Sequence, residues 1–262
     1  MTVFAHEIRR GRVAFWIWTG VIVFMMVMCM FLYPEMKTQM QSVNDLFAGM
    51  GSFTAAFGMD KVSFGEVMGF YAIEGGNMLG IGGGFFAAFL GIGMLAKEEK
   101  ERTAEFLLSH PVTRTSVVFQ KLLAVAVQII VMNLIVIIGS VVSFKMIKEE
   151  LPVTEFALLH IAFLVMQLEI ACICFAVSAF LRRGSMGIGL GLAAVMYFLN
   201  IICNLSDKAE ALKYITPFAY AEASDIVADA AIDGTLMGLG IAYGVIGAAV
   251  AWWWYRRKDI VA

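Results

Sequence analysis

The sequence predicts an all-α polytopic membrane protein with six transmembrane helices. Hydrophobic residues make up 61% of its 262 residues and charged residues only 15%, whereas about a quarter of the residues in an ordinary soluble domain are charged. The apolar residues are also gathered into runs of about twenty or more, the length that crosses a bilayer as a helix. We therefore treat residues 1–262 as a single transmembrane domain.

The first predicted span, at 13–33, follows the basic residues Arg9, Arg10 and Arg12. It is long enough to cross the membrane and no small-residue cleavage site follows it, so we expect an uncleaved span rather than a signal peptide. The residues before it alternate apolar and basic positions, which predicts a short amphipathic helix lying on the inner leaflet.

The other five spans follow in chain order. The second is rich in glycine and carries small residues four apart, a spacing that lets helix backbones approach closely in lipid. The sixth ends in four aromatic residues, 252–255, that are typical of the membrane interface. The predicted limits of these spans are 66–96, 117–144, 154–181, 185–204 and 234–255.

The basic residues predict the orientation. Both termini, the loop between the second and third spans, and the turn at Arg182 and Arg183 together hold thirteen of the 19 Lys and Arg residues, including all nine arginines. Cytoplasmic loops carry such an excess of positive charge. We therefore expect cytoplasmic N- and C-termini.

One long charged segment, from Lys97 to Arg114, separates the second and third spans. Its glutamates cluster in the first half, where they favour the positive end of a helix dipole. Pro111 disfavours helical backbone angles at the residue before it. The pattern predicts a short cytosolic helix at about 98–110.

Two interpretations of this helix stay open. Its apolar face is formed by Ala104, Leu107 and Leu108, whereas Arg102 and Phe106 point away from that face. An aromatic side chain beside charges is a common anchor for a groove on another protein. The other interpretation is a helix that lies on lipid headgroups without a protein partner.

Sequence motifs indicate that this chain is not an enzyme. It has no Gly-x-x-x-x-Gly-Lys-Ser/Thr phosphate loop, no His-Glu-x-x-His zinc motif and no Gly-x-Ser-x-Gly elbow. Its four cysteines lie in apolar spans, and its 18 methionines are spread widely, so we interpret both as packing residues and predict no metal site. A net charge of −2 gives no basic surface for nucleic acid.

Polar residues within the spans are the candidates for a substrate pathway, because ionisable groups in the membrane are costly and usually face protein or water. Glu169, near the middle of the fourth span, is the strongest candidate. The alternative is a structural, protonated Glu169 that is hydrogen-bonded to Gln128 or Asn133. The full set of pathway candidates is Glu169, Gln167, Asn133, Asn77, Glu74 and Asn200.

The charged segment resembles a known family. Its Thr-x-Glu-x-Leu-Leu-Ser core (103–109), the Pro-Val-Thr-Arg turn (111–114) and the lysine that opens the next span, Lys121, are similar to the cytosolic segment of permeases from the second superfamily of ATP-binding cassette (ABC) exporters. The Arg-Arg-Lys-Asp-Ile ending (256–260) resembles the close of the same family. The chain departs at Arg102 and Gln120, where the family often has glycine.

The resemblance implies an exporter permease. In such transporters two permease chains, alike or different, form the pathway, and two separate ATPase chains each hold a coupling helix in a groove. No cofactor would then bind this chain, because ATP and Mg²⁺ bind the ATPase. The implied coupling residues are Glu101, Arg102, Glu105, Phe106, Leu107, Leu108, Pro111 and Arg114. Family members commonly pair through the first and fifth spans, which implies contacts at Gly187 and Gly191.

Two other functions stay open as alternatives. One is a membrane anchor or sensor subunit that does not transport, and the other is an intramembrane hydrolase that uses Glu169 with His160. About 13 Å of helical rise between those two residues disfavours the hydrolase. We expect the chain in the cytoplasmic membrane of a bacterium.

Overall fold

The computed structural model describes residues 2–39, 51–59, 61–101, 112–181 and 185–258. Within these ranges it is helical and contains no strand. Six helices are long and apolar enough to cross a membrane, which confirms the predicted fold class. These six are α1 (Thr2–Thr38), α4 (Gly76–Gly93) with the turns that lead into it, α6 (Arg114–Ile147), α7 (Val153–Phe180), α8 (Met186–Leu205) and α10 (Gly234–Arg257).

Shorter elements connect the long helices. A π-helical turn, Tyr71–Gly75, joins the short helix α3 (Val67–Phe70) to α4 without a break, so that the second span begins at Val67. A 3₁₀-helix, Asp207–Tyr214, follows α8. The short α-helices are α2 (Gly51–Ala56), α3 (Val67–Phe70), α5 (Lys97–Glu101) and α9 (Ala223–Asp229).

The amphipathic residues predicted to lead into the first span belong to the same helix as that span. Helix α1 runs without a break through 37 residues and continues past Pro34, a length of about 55 Å. The physical reason lies in its first turns, where Glu7 forms an ion pair with Lys97 and the Phe4 amide donates to the Gln120 side chain at 3.2 Å. These contacts hold the amphipathic residues against the bundle.

Helices α4 and α7 form the centre of the bundle, and they are the most buried of the six. Glycines on α4 let the two backbones approach closely. A Cβ at Gly91 would lie 2.4 Å from the Ala171 carbonyl oxygen, and a Cβ at Gly83 would lie 2.1 Å from Gln167 Nε2. The glycine-rich pattern of the second span therefore serves close helix packing.

Helices α1, α8 and α10 expose most of their apolar surface. Trp16 and Phe24 on α1, Phe198 on α8 and Val245 on α10 are each about 60% exposed or more. In water this exposure would be costly, and in a bilayer it is the surface that contacts lipid or another subunit.

The helix ends define two faces of the bundle. We call the face that holds the start of α1, α5, and the end of α10 the terminal face. On the opposite face, Lys37 pairs with Glu149 at 2.6 Å and Lys61 pairs with Asp225 at 2.6 Å.

Candidate coupling site and polar groups within the spans

On the terminal face, the turn that follows α4 is held against α7 by the hydroxyl group of Ser178. Ser178 Oγ accepts hydrogen bonds from the Leu95 amide at 2.8 Å and from the Ala96 amide at 3.2 Å. Ser178 itself is fully buried. These bonds satisfy backbone donors in the turn that carries the chain from α4 into α5.

Below this turn lies a buried group of four charges, which we call the ion cluster: Glu7, Lys97, Glu98 and Lys121. Lys121 is 0% exposed; its Nζ donates to the Met94 carbonyl at 2.5 Å and forms an ion pair with Glu98. Glu7 lies 3.5 Å from Lys121 Nζ and also pairs with Lys97. The cluster therefore joins α1, α5 and α6.

The ion cluster contains two lysines and two glutamates, so its formal charges balance. Burial and the positive charge of Lys121 both lower the pKa of Lys97, whereas Glu7 and Glu98 act in the opposite direction. Lys97 therefore depends on these carboxylates to stay charged. Loss of any one member would leave a buried charge without its counter-charge.

A second set of contacts ties the end of α10 to the same region. Lys258 Nζ forms an ion pair with Glu99 at 2.9 Å and donates to the Leu181 carbonyl at 2.9 Å. Arg114 Nη1 donates to the carbonyl oxygens of Arg256 at 3.2 Å and Lys258 at 2.7 Å. These cations neutralise the negative end of α10 and bind it to α5, α6 and the end of α7.

Helix α5 thus contacts four of the six long helices, α1, α6, α7 and α10, directly or through the turn that precedes it. Of the predicted coupling residues, Glu101 forms an ion pair with Arg10, and Arg114 lies at the start of α6. The other six lie outside the described residues: Arg102, Glu105, Phe106, Leu107, Leu108 and Pro111. Their role in coupling stays a prediction.

The residues that hold α5 in place and were not among the predicted site residues include Glu7, Lys97, Lys121 and Lys258. Lys121 carried a usable signal, because a lysine among apolar residues near the end of a span needs a partner. Glu98, the second residue of the charged segment, offered no such signal among many neighbouring charges.

Two predicted pathway residues pair with each other at the centre of the bundle. Asn133 Nδ2 donates to Gln167 Oε1 at 2.6 Å, and Gln167 Nε2 donates to the Leu79 carbonyl at 3.2 Å. Gln167 is 0% exposed. These bonds link α4, α6 and α7.

Glu169 faces α10 rather than α6. Its Oε2 accepts a hydrogen bond from the Tyr220 hydroxyl at 2.8 Å, and a Cβ at Gly240 would lie 2.3 Å from that oxygen. The expectation of Gln128 or Asn133 as its partner was wrong, because Asn133 turns toward Gln167 and Gln128 Nε2 donates to the Ala124 carbonyl. Whether Glu169 contacts substrate stays a prediction.

The hydrolase alternative needs Glu169 and His160 to act together. His160 Nε2 instead lies 2.8 Å from the Tyr71 hydroxyl, which donates to Ser140 Oγ at 2.8 Å. Glu169 has its own partner, Tyr220. The two candidate groups thus belong to separate hydrogen-bonded pairs, which gives the hydrolase no shared site.

The remaining pathway candidates lie toward the opposite face. Asn77 and Asn200 line the same open cavity, and Asn200 Nδ2 donates to Glu222 Oε2 at 2.7 Å. Glu222 was not among the predicted site residues. Glu74 is partly buried and lies in the π-helical turn. Such turns are often found at functional sites.

The two predicted dimer-contact glycines lie on the outer side of α8. Among the described residues, a Cβ at Gly191 would meet nothing within 4 Å, and one at Gly187 would meet only Ser185 Oγ at 3.5 Å. Gly189, between them, packs instead against Ile92 of α4. Gly187 and Gly191 are therefore free to meet a second chain, and their use in a dimer stays a prediction.

These features define a multi-pass helical membrane protein with a charged helix bound to the ends of its spans. Residues 1–260 match the family model for the ABC-2 family transporter protein, and the chain belongs to that family. This confirms the resemblance seen in the charged segment. Membership identifies a transmembrane permease component that associates with an ABC ATPase. No curated protein sequence matches the chain.

Proposed function

We propose that this chain is the permease subunit of an ATP-driven ABC exporter. Two such chains, identical or different, form the substrate pathway, and each binds one ATPase subunit through the helix predicted at 98–110. ATP and Mg²⁺ bind the ATPase and not this chain. The family match supports the permease component, and the contacts of α5 support the mode of coupling.

The observation that carries the proposal is the attachment of α5 to four long helices. The ion cluster connects α5 to α1 and α6, and Glu99 connects it to the end of α10 through Lys258. A force applied by the ATPase to the segment after Glu101 is therefore transmitted to several spans together. Movement of packed helices as rigid bodies is an established route from a small local shift to a change in access.

The dimer and the orientation follow from other observations. Helices α1 and α8 leave apolar faces exposed, and Gly187 and Gly191 leave room for close approach of a second backbone. The arginines favour cytoplasmic termini, which puts the terminal face on the side where ATP is available. We propose the cytoplasmic membrane of a bacterium as its location.

Phe106→Asp should abolish binding of the ATPase, since a charged side chain cannot fill an apolar groove. The measurement is a pull-down of the tagged chain from native membranes in mild detergent, followed by an ATPase assay on the eluate. Lys208→Asp is the matched control, because Lys208 is exposed on the opposite face and the variant also gains an aspartate.

We expect native chain and Lys208→Asp to co-elute with a cassette ATPase at equal stoichiometry and Phe106→Asp to elute without it. Undiminished ATPase in the Phe106→Asp eluate would remove Phe106 as the anchor. If the native chain also eluted alone in several mild detergents, the anchor or sensor alternative would replace the exporter.

A further inference from the structure

A groove of about 190 Å³ lies on the outside of the bundle, between the first turns of α1 and the first half of α6. Its wall on α1 is a row of residues one helical turn apart, Ile8, Arg12 and Trp16. Val127 and Val131 form the opposite wall on α6. Almost all of the lining is apolar, and Arg12 is the single charged residue among the described residues that form it.

Phe15 and Gln128, both buried, form the floor of the groove. The Phe15 ring meets Trp16 edge to face with centroids 5.2 Å apart and lies 6.2 Å from the ring of Phe86 on α4. Gly11 lets the backbone of α1 lie directly over Gln128, since an added Cβ would be 3.0 Å from Gln128 Oε1. Close packing of the two helices therefore fixes the floor.

Arg12 lies where α1 enters the membrane. The next residue begins the run 13–33, which contains no charged residue and is long enough to cross the hydrocarbon core. The guanidinium group of Arg12 therefore reaches the level of the lipid headgroups on the terminal face. Trp16, one turn deeper, has the position typical of an interfacial tryptophan.

The donors of Arg12 and Trp16 have no partner in the part of the chain that the structure describes. Arg10, two residues earlier, is by contrast paired with Glu101. Helices α6, α8 and α10 contain no aspartate or glutamate. A second copy that covered the groove with one of these helices would therefore bring no counter-charge for Arg12, whereas an anionic lipid brings one.

We propose that this groove binds one anionic phospholipid, with an acyl chain between α1 and α6 and the phosphate on Arg12. A guanidinium group can donate two parallel hydrogen bonds to a phosphate. The indole N–H of Trp16 can donate to an ester carbonyl of the same lipid. Basic pockets between membrane spans are known to bind anionic headgroups in this way. A zwitterionic lipid binds more weakly, because its own cation offsets the phosphate charge.

Native mass spectrometry of the full-length chain, purified in mild detergent, counts the lipids that stay bound. The chain is titrated with dioleoylphosphatidylglycerol and, separately, with dioleoylphosphatidylcholine, which has the same acyl chains and no net charge. The lipid site does not require the ATPase or transport, because all its residues belong to one chain. Its failure would leave the proposed permease function intact, and failure of the ATPase pull-down would leave the lipid site intact.

Arg12→Gln tests the headgroup contact, and the variant should fold because the Arg12 side chain is exposed. Arg9→Gln is the matched control, since Arg9 is an exposed arginine of the same helix that does not line the groove. The native chain should bind phosphatidylglycerol about fivefold or more tightly than phosphatidylcholine, and Arg12→Gln should lose this preference. Arg9→Gln should keep it, because a detergent micelle has no charged surface that would make every arginine equivalent.

Val131→Trp tests the acyl contact, because the larger side chain fills the groove from the α6 wall. Val142→Trp is its control, since Val142 is exposed on the same helix and does not line the groove. We expect Val131→Trp to weaken the binding of both lipids and Val142→Trp to leave it unchanged.

Four results would each overturn the proposal. The native chain could bind the two lipids equally, or Arg9→Gln could lose the preference as fully as Arg12→Gln. Displacement of phosphatidylglycerol by excess inorganic phosphate would show that Arg12 binds a free anion instead of a lipid. Loss of a dimer in Val131→Trp, with lipid binding undiminished, would assign the groove to a second copy of the chain.

Discussion

Lys121→Met should destabilise the protein by about 3–5 kcal/mol, the usual cost of removing one partner from a buried ion pair. Lys121 is 0% exposed, and methionine can fill its volume but cannot supply its charge. Glu98 would lose its ion-pair partner, Glu7 would keep only Lys97, and the Met94 carbonyl would lose its donor. The expected loss is therefore electrostatic rather than a loss of packing.

The measurement is reversible unfolding of the purified chain in mixed micelles, monitored by circular dichroism. Lys145→Met is the matched control, because Lys145 lies on the same helix, α6, and its side chain is exposed. The double variant Lys121→Met with Glu98→Gln should recover part of the loss, because it removes one of the unpaired carboxylates. If Lys121→Met unfolded at the same point as Lys145→Met, the ion cluster would not stabilise the terminal face.

Gly91→Ala should cost about 1–3 kcal/mol, the range for forcing an extra carbon into a packed core. The added Cβ would lie 2.4 Å from the Ala171 carbonyl oxygen and 2.9 Å from Cys174 Cβ, so the backbones of α4 and α7 must move apart. Backbone atoms cannot turn aside as the end of a long side chain can. This contact lies close to the turn that Ser178 holds against α7. We therefore also expect weaker coupling between the ATPase and the membrane spans.

Gly93→Ala is the control for the same chemical change on the same helix. A Cβ at Gly93 would meet no atom of the described part of the chain within 4 Å, and alanine is the better helix former. We expect the Gly93→Ala variant to be as stable as the native chain, or slightly more stable, in the same unfolding assay. Equal stability of the two alanine variants would show that α4 and α7 are not in close backbone contact at Gly91.

The number and type of long helices could be predicted from hydropathy alone, because the backbone of a membrane span must satisfy its own hydrogen bonds. The true start of α1 could not be predicted in this way. The residues before Val13 have the alternation of an interfacial helix, and only their contacts with α5 and α6, through Glu7 and Phe4, keep them in one continuous helix. Such contacts join segments about 90 or more residues apart and leave no local pattern.

The hydrogen-bond partners of the polar groups could not be predicted from the sequence either. Glu169 was predicted as important from its position in an apolar span, but its partner, Tyr220, lies in a connecting segment 51 residues away. Glu222 was overlooked because it belongs to a run of acidic residues that resembles an exposed helix. The spacing of Asn200 and Asn204, one helical turn apart, was a usable signal, since two amides on one face can bind a single carboxylate.

Helix α5 should pass movement of the ATPase to α1, α6, α7 and α10 together. Hydrogen–deuterium exchange on the complex with its ATPase, with and without a non-hydrolysable ATP analogue, tests this most directly. We expect nucleotide to change protection in peptides that cover 2–12, 114–122, 176–181 and 253–258 in parallel, and Lys121→Met to reduce the change in the first two. A change confined to 97–113, with the helix ends unaffected, would contradict the account.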